Sequence, residues 1–351
     1  MSRPYYQQLD ISNTKRLRAI ISEMPDYTAT FFRGIEQTTS SGTRLAYAYD
    51  LRVFFNYLCT KVDSFKGRAI TDIKLDELEK ITPVQFEMYM EYLKYYANEK
   101  ADTDHVNQER GIARKISCLK SFYSYLYKRG YIGSNPVSVI DMPKTHEKSI
   151  ICLDADEIDK LLDVVEDGST LNERQQMYHK ITKLRDLAIM MLLLGTGIRV
   201  SECVGLDMTD VDFRTDGIKV HRKGGKEVVV YFGDEVEAAL RDYLKERREI
   251  SPKNGHENAL FLSLHRKRIS VRSVETLVTK YASTVTGVKH ITPHKLRSTY
   301  GTSLYRETGD IYLVADILGH ADVNTTRKYY AAQEDDRRRA ARNKVKLRRK
   351  R

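Results

Sequence analysis

Four short segments carry residue types suited to chemistry on an anion. In Gly195-Thr196-Gly197-Ile198-Arg199-Val200-Ser201-Glu202 the glycine pattern superficially resembles a dinucleotide-binding loop. That loop follows a strand and ends in a third small residue, whereas a helical run precedes this one and Val200 fills the third slot. Taken alone, the glycines end a buried helix and release Arg199 from a tight turn, with a plain C-cap beside a surface arginine as the alternative. In Ile291-Thr292-Pro293-His294-Lys295-Leu296-Arg297, Thr292 suits an N-cap and Pro293 a first helical position, so His294 and Arg297 share one face of the first turn. Free backbone N–H groups, the positive end of the macrodipole and a forked guanidinium would suit a phosphate there; an exposed basic helix start is the plainer reading. His290 and His294 have metal-ligand spacing, but a helix opening at Pro293 leaves His290 outside it, and no metal is expected. In Leu318-Gly319-His320, Gly319 suits a helix end, Asp322 the next helix start, and Tyr329 and Tyr330 follow two turns on. With 23 tyrosines in the chain, any single one is by default a packing residue. Lys223, in Lys223-Gly224-Gly225-Lys226, reads by itself as a solvated turn lysine.

These groups need elements to hold them. Gly217 to Arg222 and Glu227 to Phe232 alternate with a period of two around the Lys-Gly-Gly-Lys turn and predict a hairpin. Leu153-Asp154-Ala155-Asp156-Glu157-Ile158 predicts a capped helix start, and a longer helix ends in Leu187 to Leu194. Helical patterns return from Asp234 onward. The first half reads as all-helical. From Thr43, the residues Leu45, Tyr49, Val53, Phe54 and Leu58 form one stripe, with Arg44, Tyr47 and Arg52 largely off it. Thr82-Pro83 opens a second helix reaching about Tyr96. A third covers about Glu109 to Arg129, with Ile112, Ile116, Leu119, Phe122 and Leu126 inward, Arg110, Arg114, Lys115 and Lys120 flanking, and Gly130 as its stop. Residues 1 to about 25 show no sustained period and predict a loosely ordered arm or short helix. The punctuation from Gly133 through Pro143-Lys144 predicts a linker. The expected order is an arm (1–25), a helical domain (26–130), a linker (131–150), a second domain (151–333) and a basic tail (334–351).

The chain has 351 residues, long enough for two domains, and 41% apolar content is enough to bury real cores. Its longest apolar run, Leu187 to Leu194, is far short of the ~20 residues of a bilayer-spanning helix. No secretory signal is visible behind Arg3, and four scattered cysteines suggest neither a disulfide framework nor a zinc module; a reducing cytoplasm is expected. The formal charge is +11, but residues 337 to 351 hold ten lysines and arginines and no acid, leaving the rest of the chain near +1. Binding of a polyanion must therefore depend on where the basic groups sit.

In order and spacing, Arg199 with Glu202, Lys223 in a hairpin, His294-Lys295-Leu296-Arg297, Leu318-Gly319-His320 and Tyr329 nine residues later resemble the signature of the tyrosine recombinases, in the Xer-type and phage or transposon integrase branch. Gly42 through Leu58 and Lys120 through Leu126 look like that family's helical core-binding domain, so the likeness covers roughly residues 28 to 333. The resemblance implies a mainly α fold with a small antiparallel sheet, arranged as a two-domain C-shaped DNA clamp. It implies that Tyr329 attacks a DNA phosphate and becomes a 3′-phosphotyrosine, that Arg199 and Arg297 clamp that phosphate, and that Lys223 protonates the leaving 5′ oxygen. His294 would assist as acid or base, His320 would donate a hydrogen bond to the phosphate, and Glu202 would orient its neighbours. No metal or nucleotide cofactor is implied, because cationic side chains supply the charge and the phosphotyrosine conserves the bond energy. Thr43, Arg44, Tyr47, Arg52, Arg114, Lys115 and Lys120 are the expected DNA contacts of the first domain. The expected partner is double-stranded DNA with paired inverted half-sites, bound by a homotetramer, with no membrane role and the need for a second recombinase left open. A type IB topoisomerase and a non-catalytic DNA-binding protein are the alternatives. Two departures from the compact Xer pattern stand out: residues 168–183 look like an insertion, and the basic tail is long. Lys226 and Tyr330 also duplicate the lysine and tyrosine, although the family's Lys-Gly pattern and the spacing from His320 favour Lys223 and Tyr329.

Overall fold

The structure, a computed structural model, describes residues 4–98, 103–144, 146, 151–222, 225–320 and 323. The chain divides into two compact units, Met1–Lys148 and Ser149–Arg351. No helix among the described residues is long and apolar enough to cross a membrane.

In the first unit, α1 (Tyr5–Ile21), α2 (Asp26–Gly34), α3 (Ser41–Lys61), a single turn α4 (Leu75–Leu78), α5 (Pro83–Lys94) and α6 (Glu109–Lys128) surround an aromatic core. Phe31 meets Phe122 edge-on at 5.1 Å and Phe54 stacks on Phe86 at 5.7 Å, arrangements that favour the ring quadrupoles. Local chemistry sets the helix starts: Thr82 accepts the Gln85 N–H while the Gln85 side chain accepts that of Thr82, with Pro83 at the first position. On α6, Ile112, Ile116, Leu119, Phe122 and Leu126 are all buried, as their spacing predicts.

Three features of this unit differ from the expectation. The arm is a 17-residue helix, α1, whose buried residues are Leu17 and Ile20; so narrow a stripe leaves no period to read. Helix α5 stops at Lys94 instead of running to about Tyr96, because Asn107 takes the end of the helix, its side-chain amide donating to the Leu93 carbonyl at 2.7 Å and its backbone N–H to that of Lys94 at 3.3 Å. The chain then forms a hairpin of β1 (Tyr95–Asn98) and β2 (Thr103–Val106). Finally, Ile132, Val137 and Ile140 of the expected linker are buried in the first unit's core.

The second unit is built around α8 (Glu173–Thr196), which buries Ala188, Ile189, Met190, Leu192 and Leu193 and packs against α7 (Ala155–Asp167), α10 (Asp234–Glu249) and α12 (Pro293–Thr308). Asp154 caps α7 reciprocally with Glu157, as predicted. Residues 168–183 form no separate excursion: Gly168 ends α7 at φ +69°, Asn172 caps α8, and the remainder is the first turns of α8. Asp186 is buried in α8 and accepts hydrogen bonds from Thr182, Arg185 and Tyr281, which compensates its desolvation. The predicted hairpin is β4 (Gly217–His221) with β5 (Glu227–Tyr231), in register from Gly217 opposite Tyr231 to His221 opposite Glu227, and a short β3 (Val211–Asp212) adds a third antiparallel strand. Around these lie α9 (Val200–Gly205), α11 (Val271–Val285) and α13 (Ile311–Leu318). The basic tail, Asp322, Tyr329 and Tyr330 lie outside the described residues.

Candidate active site

The site is organised by the end of α13. Gly319 takes φ +61°, and the N–H groups of Gly319 and His320 turn back to the carbonyls of Asp316 and Ala315 at 2.8 and 2.9 Å. The carbonyls of residues 316 to 319 then meet three arginines from three different elements. Arg222, at the end of β4, donates through Nη2 to Ile317 at 2.7 Å and through Nη1 to Asp316 at 3.5 Å. Arg297, in the first turn of α12, donates to the Leu318 carbonyl and, at 2.5 Å, to that of Gly197. Arg199, before α9, donates to Gly319 at 3.2 Å. The negative end of a helix dipole is where cations belong, and the peptide oxygens aim each guanidinium without neutralising it.

Glu202 completes this frame. Its buried carboxylate accepts the Arg199 side chain at 2.9 Å and the Arg199 backbone N–H at 2.8 Å, so a single acid fixes both the turn and the guanidinium. The Arg199 side chain remains 40% exposed, open to an incoming anion, whereas Arg297 is buried. Gly197 ends α8 at φ +61°, and a Cβ there would strike the Tyr300 ring. The glycine therefore gives both the left-handed turn and the close packing.

Two histidines face the same field. Burial pushes the His294 pKa below the ordinary imidazole value, with Arg297, Lys295 and Arg199 adding to the effect. His320 is pushed down to about 4, by burial first and then by Arg297, Arg199, His294 and Arg222. Both are neutral at pH 7 in the free protein, able to donate one proton and accept another. Burial first, and the convergent positive charge after it, keep the two imidazoles neutral, and that convergent charge can seat an oxyanion.

Of the sequence-predicted residues, Arg199, Glu202, His294, Arg297 and His320 converge here. Lys223 and Tyr329 lie outside the described residues. Lys223 follows Arg222, whose backbone closes the turn through N–H to Lys226 O at 2.8 Å and by accepting the Gly225 N–H at 3.2 Å. Lys226 is exposed. Thr292 stands at the start of α12, but its hydroxyl makes no capping bond. Arg222 and Tyr300 were missed; the only sequence signal for Arg222 was its place just before Lys223.

The expected DNA contacts of the first unit are mixed. Arg44 is buried, not off the stripe, and pairs with Glu36 at 2.7 Å. Lys115 is buried and donates to Asn107 Oδ1 at 2.8 Å, which gives it a structural partner. Arg114 is half exposed and pairs with buried Asp50. Lys120 donates to the Ile140 carbonyl at 2.5 Å. Arg52 lies 5.2 Å from the Tyr49 ring, Tyr47 is half-buried, and Thr43 bonds Ser40 beside the start of α3.

Residues 152–336 match the phage integrase family, and residues 30–130 match the phage integrase N-terminal SAM-like domain. A tyrosine recombinase XerC of Caldanaerobacter subterraneus subsp. tengcongensis is 34% identical over 92% of this chain and 86% of its own length. The protein of the same name from Oceanobacillus iheyensis is 31% identical over 88% of this chain and 92% of its own. The fold is shared with the Tn1549 transposon integrase in complex with circular intermediate DNA (TM-score 0.61, 22% identity, 88% of this chain and 96% of that one). It is shared also with the XerH site-specific recombinase bound to palindromic difH substrate (TM-score 0.60, 19% identity, 97% and 99%). The chain belongs to the phage integrase family and is a tyrosine recombinase, an enzyme of site-specific DNA recombination.

Proposed function

We propose that the enzyme breaks and rejoins duplex DNA with Tyr329 as nucleophile and the Arg199, Arg297, His294 and His320 site as the seat of the scissile phosphate. The observation that carries this reading is the convergence of these side chains on the end of α13. The Tyr329 oxygen attacks phosphorus as the bond to the 5′ oxygen breaks; the product is a 3′-phosphotyrosine and a free 5′ hydroxyl. Tyr329 gives up its proton with help from His294, and Lys223 supplies one to the departing oxygen. Arg199 and Arg297 bind charge that grows on the nonbridging oxygens, and His320, neutral before DNA arrives, donates one hydrogen bond. Attack by the 5′ hydroxyl of another strand reverses the step, and the phosphotyrosine preserves the bond energy between the two.

The substrate is double-stranded DNA with paired inverted half-sites held by four copies of the chain, with residues 26–130 gripping the duplex and residues 337–351 of the tail neutralising phosphates. A nicked suicide substrate tests the chemistry. Tyr329→Phe is expected to bind DNA and form no covalent adduct, while Tyr330→Phe still forms one. An adduct that survives the first change and disappears with the second would move the nucleophile to Tyr330. Relaxation of supercoils without strand exchange would make the enzyme a topoisomerase.

A further inference from the structure

Arg222 lies at the end of β4, directly before Lys223, and reaches across to another element. Its guanidinium donates to the carbonyls of Ile317 and Asp316 and lies so close to Gly319 that a Cβ at that glycine would overlap it. Its Nε is buried with no hydrogen-bond partner among the described residues. An unmet buried donor is costly, so a contact that served stability alone would be poorly built. The end of α13 has two further arms, Arg199 on Gly319 and Arg297 on Leu318. Loss of the Arg222 side chain therefore leaves α13 with its two other arms and removes the side-chain tie between the end of β4 and α13.

We infer that Arg222 is a positioning residue: by tying the end of β4 to the C-terminal carbonyls of α13, it fixes the strand end from which Lys223 departs. The inference rests on the reading of Lys223 as the proton donor. The donor must meet the 5′ oxygen as its bond to phosphorus breaks, and misplacement of a catalytic group by about 1 Å can cost on the order of 10²-fold in rate. A guanidinium suits the task because its planar fork spans two adjacent carbonyls, whereas an ammonium is a single point of charge.

The test is single-turnover cleavage by the full-length enzyme of two suicide substrates, one with the normal 5′ oxygen and one with sulfur in its place, a leaving group that hardly needs a proton. Arg222→Ala is expected to be slower on the oxygen substrate by on the order of 10²-fold and to recover most of that loss on sulfur, in parallel with Lys223→Ala. Arg222→Lys should lie between Arg222→Ala and wild type on the oxygen substrate. Recovery on sulfur would itself show a folded, DNA-bound enzyme. If Lys223→Ala recovers on sulfur and Arg222→Ala does not, Arg222 acts through something other than Lys223 and the inference fails alone. If Lys223→Ala does not recover, the assignment of the proton donor fails and this inference with it. Wild-type speed for Arg222→Ala on the oxygen substrate would also overturn it.

Discussion

If the scissile phosphate seats beside His320 as proposed, the neutral imidazole makes DNA affinity depend on protons. In the free enzyme its pKa is held at about 4 instead of the ordinary 6.5, by burial and then by the charges of Arg297, Arg199, His294 and Arg222. A phosphate in the site brings negative charge against those cations, so the imidazole pKa rises on binding and the complex takes up a proton. By linkage, affinity must increase as pH falls. A phosphate offsets the charges and not the burial that is the larger cause, so return to the ordinary value is the upper bound: lowering the pH from 7.5 to 5.5 then tightens binding by at most about tenfold through this one group, roughly 1.4 kcal/mol. His294, also lowered, adds in the same direction. The measurement is a fluorescence-anisotropy titration of a single half-site duplex at fixed ionic strength across that range, on Tyr329→Phe to prevent cleavage and on the same protein carrying His320→Gln. The difference between the two slopes reports His320 together with its coupling to His294. Identical pH dependence in the two proteins would refute the reasoning. Folding stability follows the opposite course: the unfolded chain gains a proton that the native imidazole refuses, so the contribution of His320 is present above pH 6.5 and is lost as pH falls toward about 4.

Two further outcomes are expected. Gly319→Ala places a Cβ at φ +61° and into the Arg222 guanidinium, so single-turnover cleavage should fall sharply while the left-handed residue costs only about 1–2 kcal/mol in denaturant unfolding; unchanged cleavage would contradict the packing at this turn. Asp50→Ala removes the buried carboxylate that Arg114 pairs with beside Lys115, and because Arg114 is half exposed and can turn to water, the loss in denaturant unfolding should be about 2 kcal/mol, below the range for a fully buried pair.

Much of the scaffold was legible because its causes are local. The N-cap at Thr82 before Pro83, the capping pair Asp154 with Glu157, the inward face of α6 and the β4–β5 turn each depend on residues within a few positions of one another. What escaped depends on distant partners. The stop at Lys94 is imposed by Asn107, across a hairpin whose strands are four residues each. Arg44 lies inside because Glu36, before α3 begins, turns back to meet it. The helical start of α8 within residues 168–183 is buried at His179, whose ring meets the Val165 carbonyl of α7, a contact that no period along one helix reveals.

The site shows the same division and gives it a chemical reason. Arg199, His294, Arg297 and His320 stand in recognisable motifs, and in the proposed mechanism each reaches the phosphate itself, which would fix its residue type and its place in a turn. Arg222 must reach only peptide oxygens, which every residue has, and its partners lie 94 and 95 positions away. Nothing in the sequence near Ile317 announces that its carbonyl is an anchor. The physical need is nonetheless strict. Three guanidiniums brought together repel one another, and a carboxylate for each would cancel the charge the phosphate must feel. The carbonyl end of α13 solves this with dipoles, which orient the cations and leave their net charge in place. Among the described residues, Glu202, facing Arg199, is the one acid in these four hydrogen bonds, so the charge they bring together is positive. A helix end is therefore part of the frame that holds these arginines, and of the proposed phosphate seat, although it contributes no side chain that a motif could record.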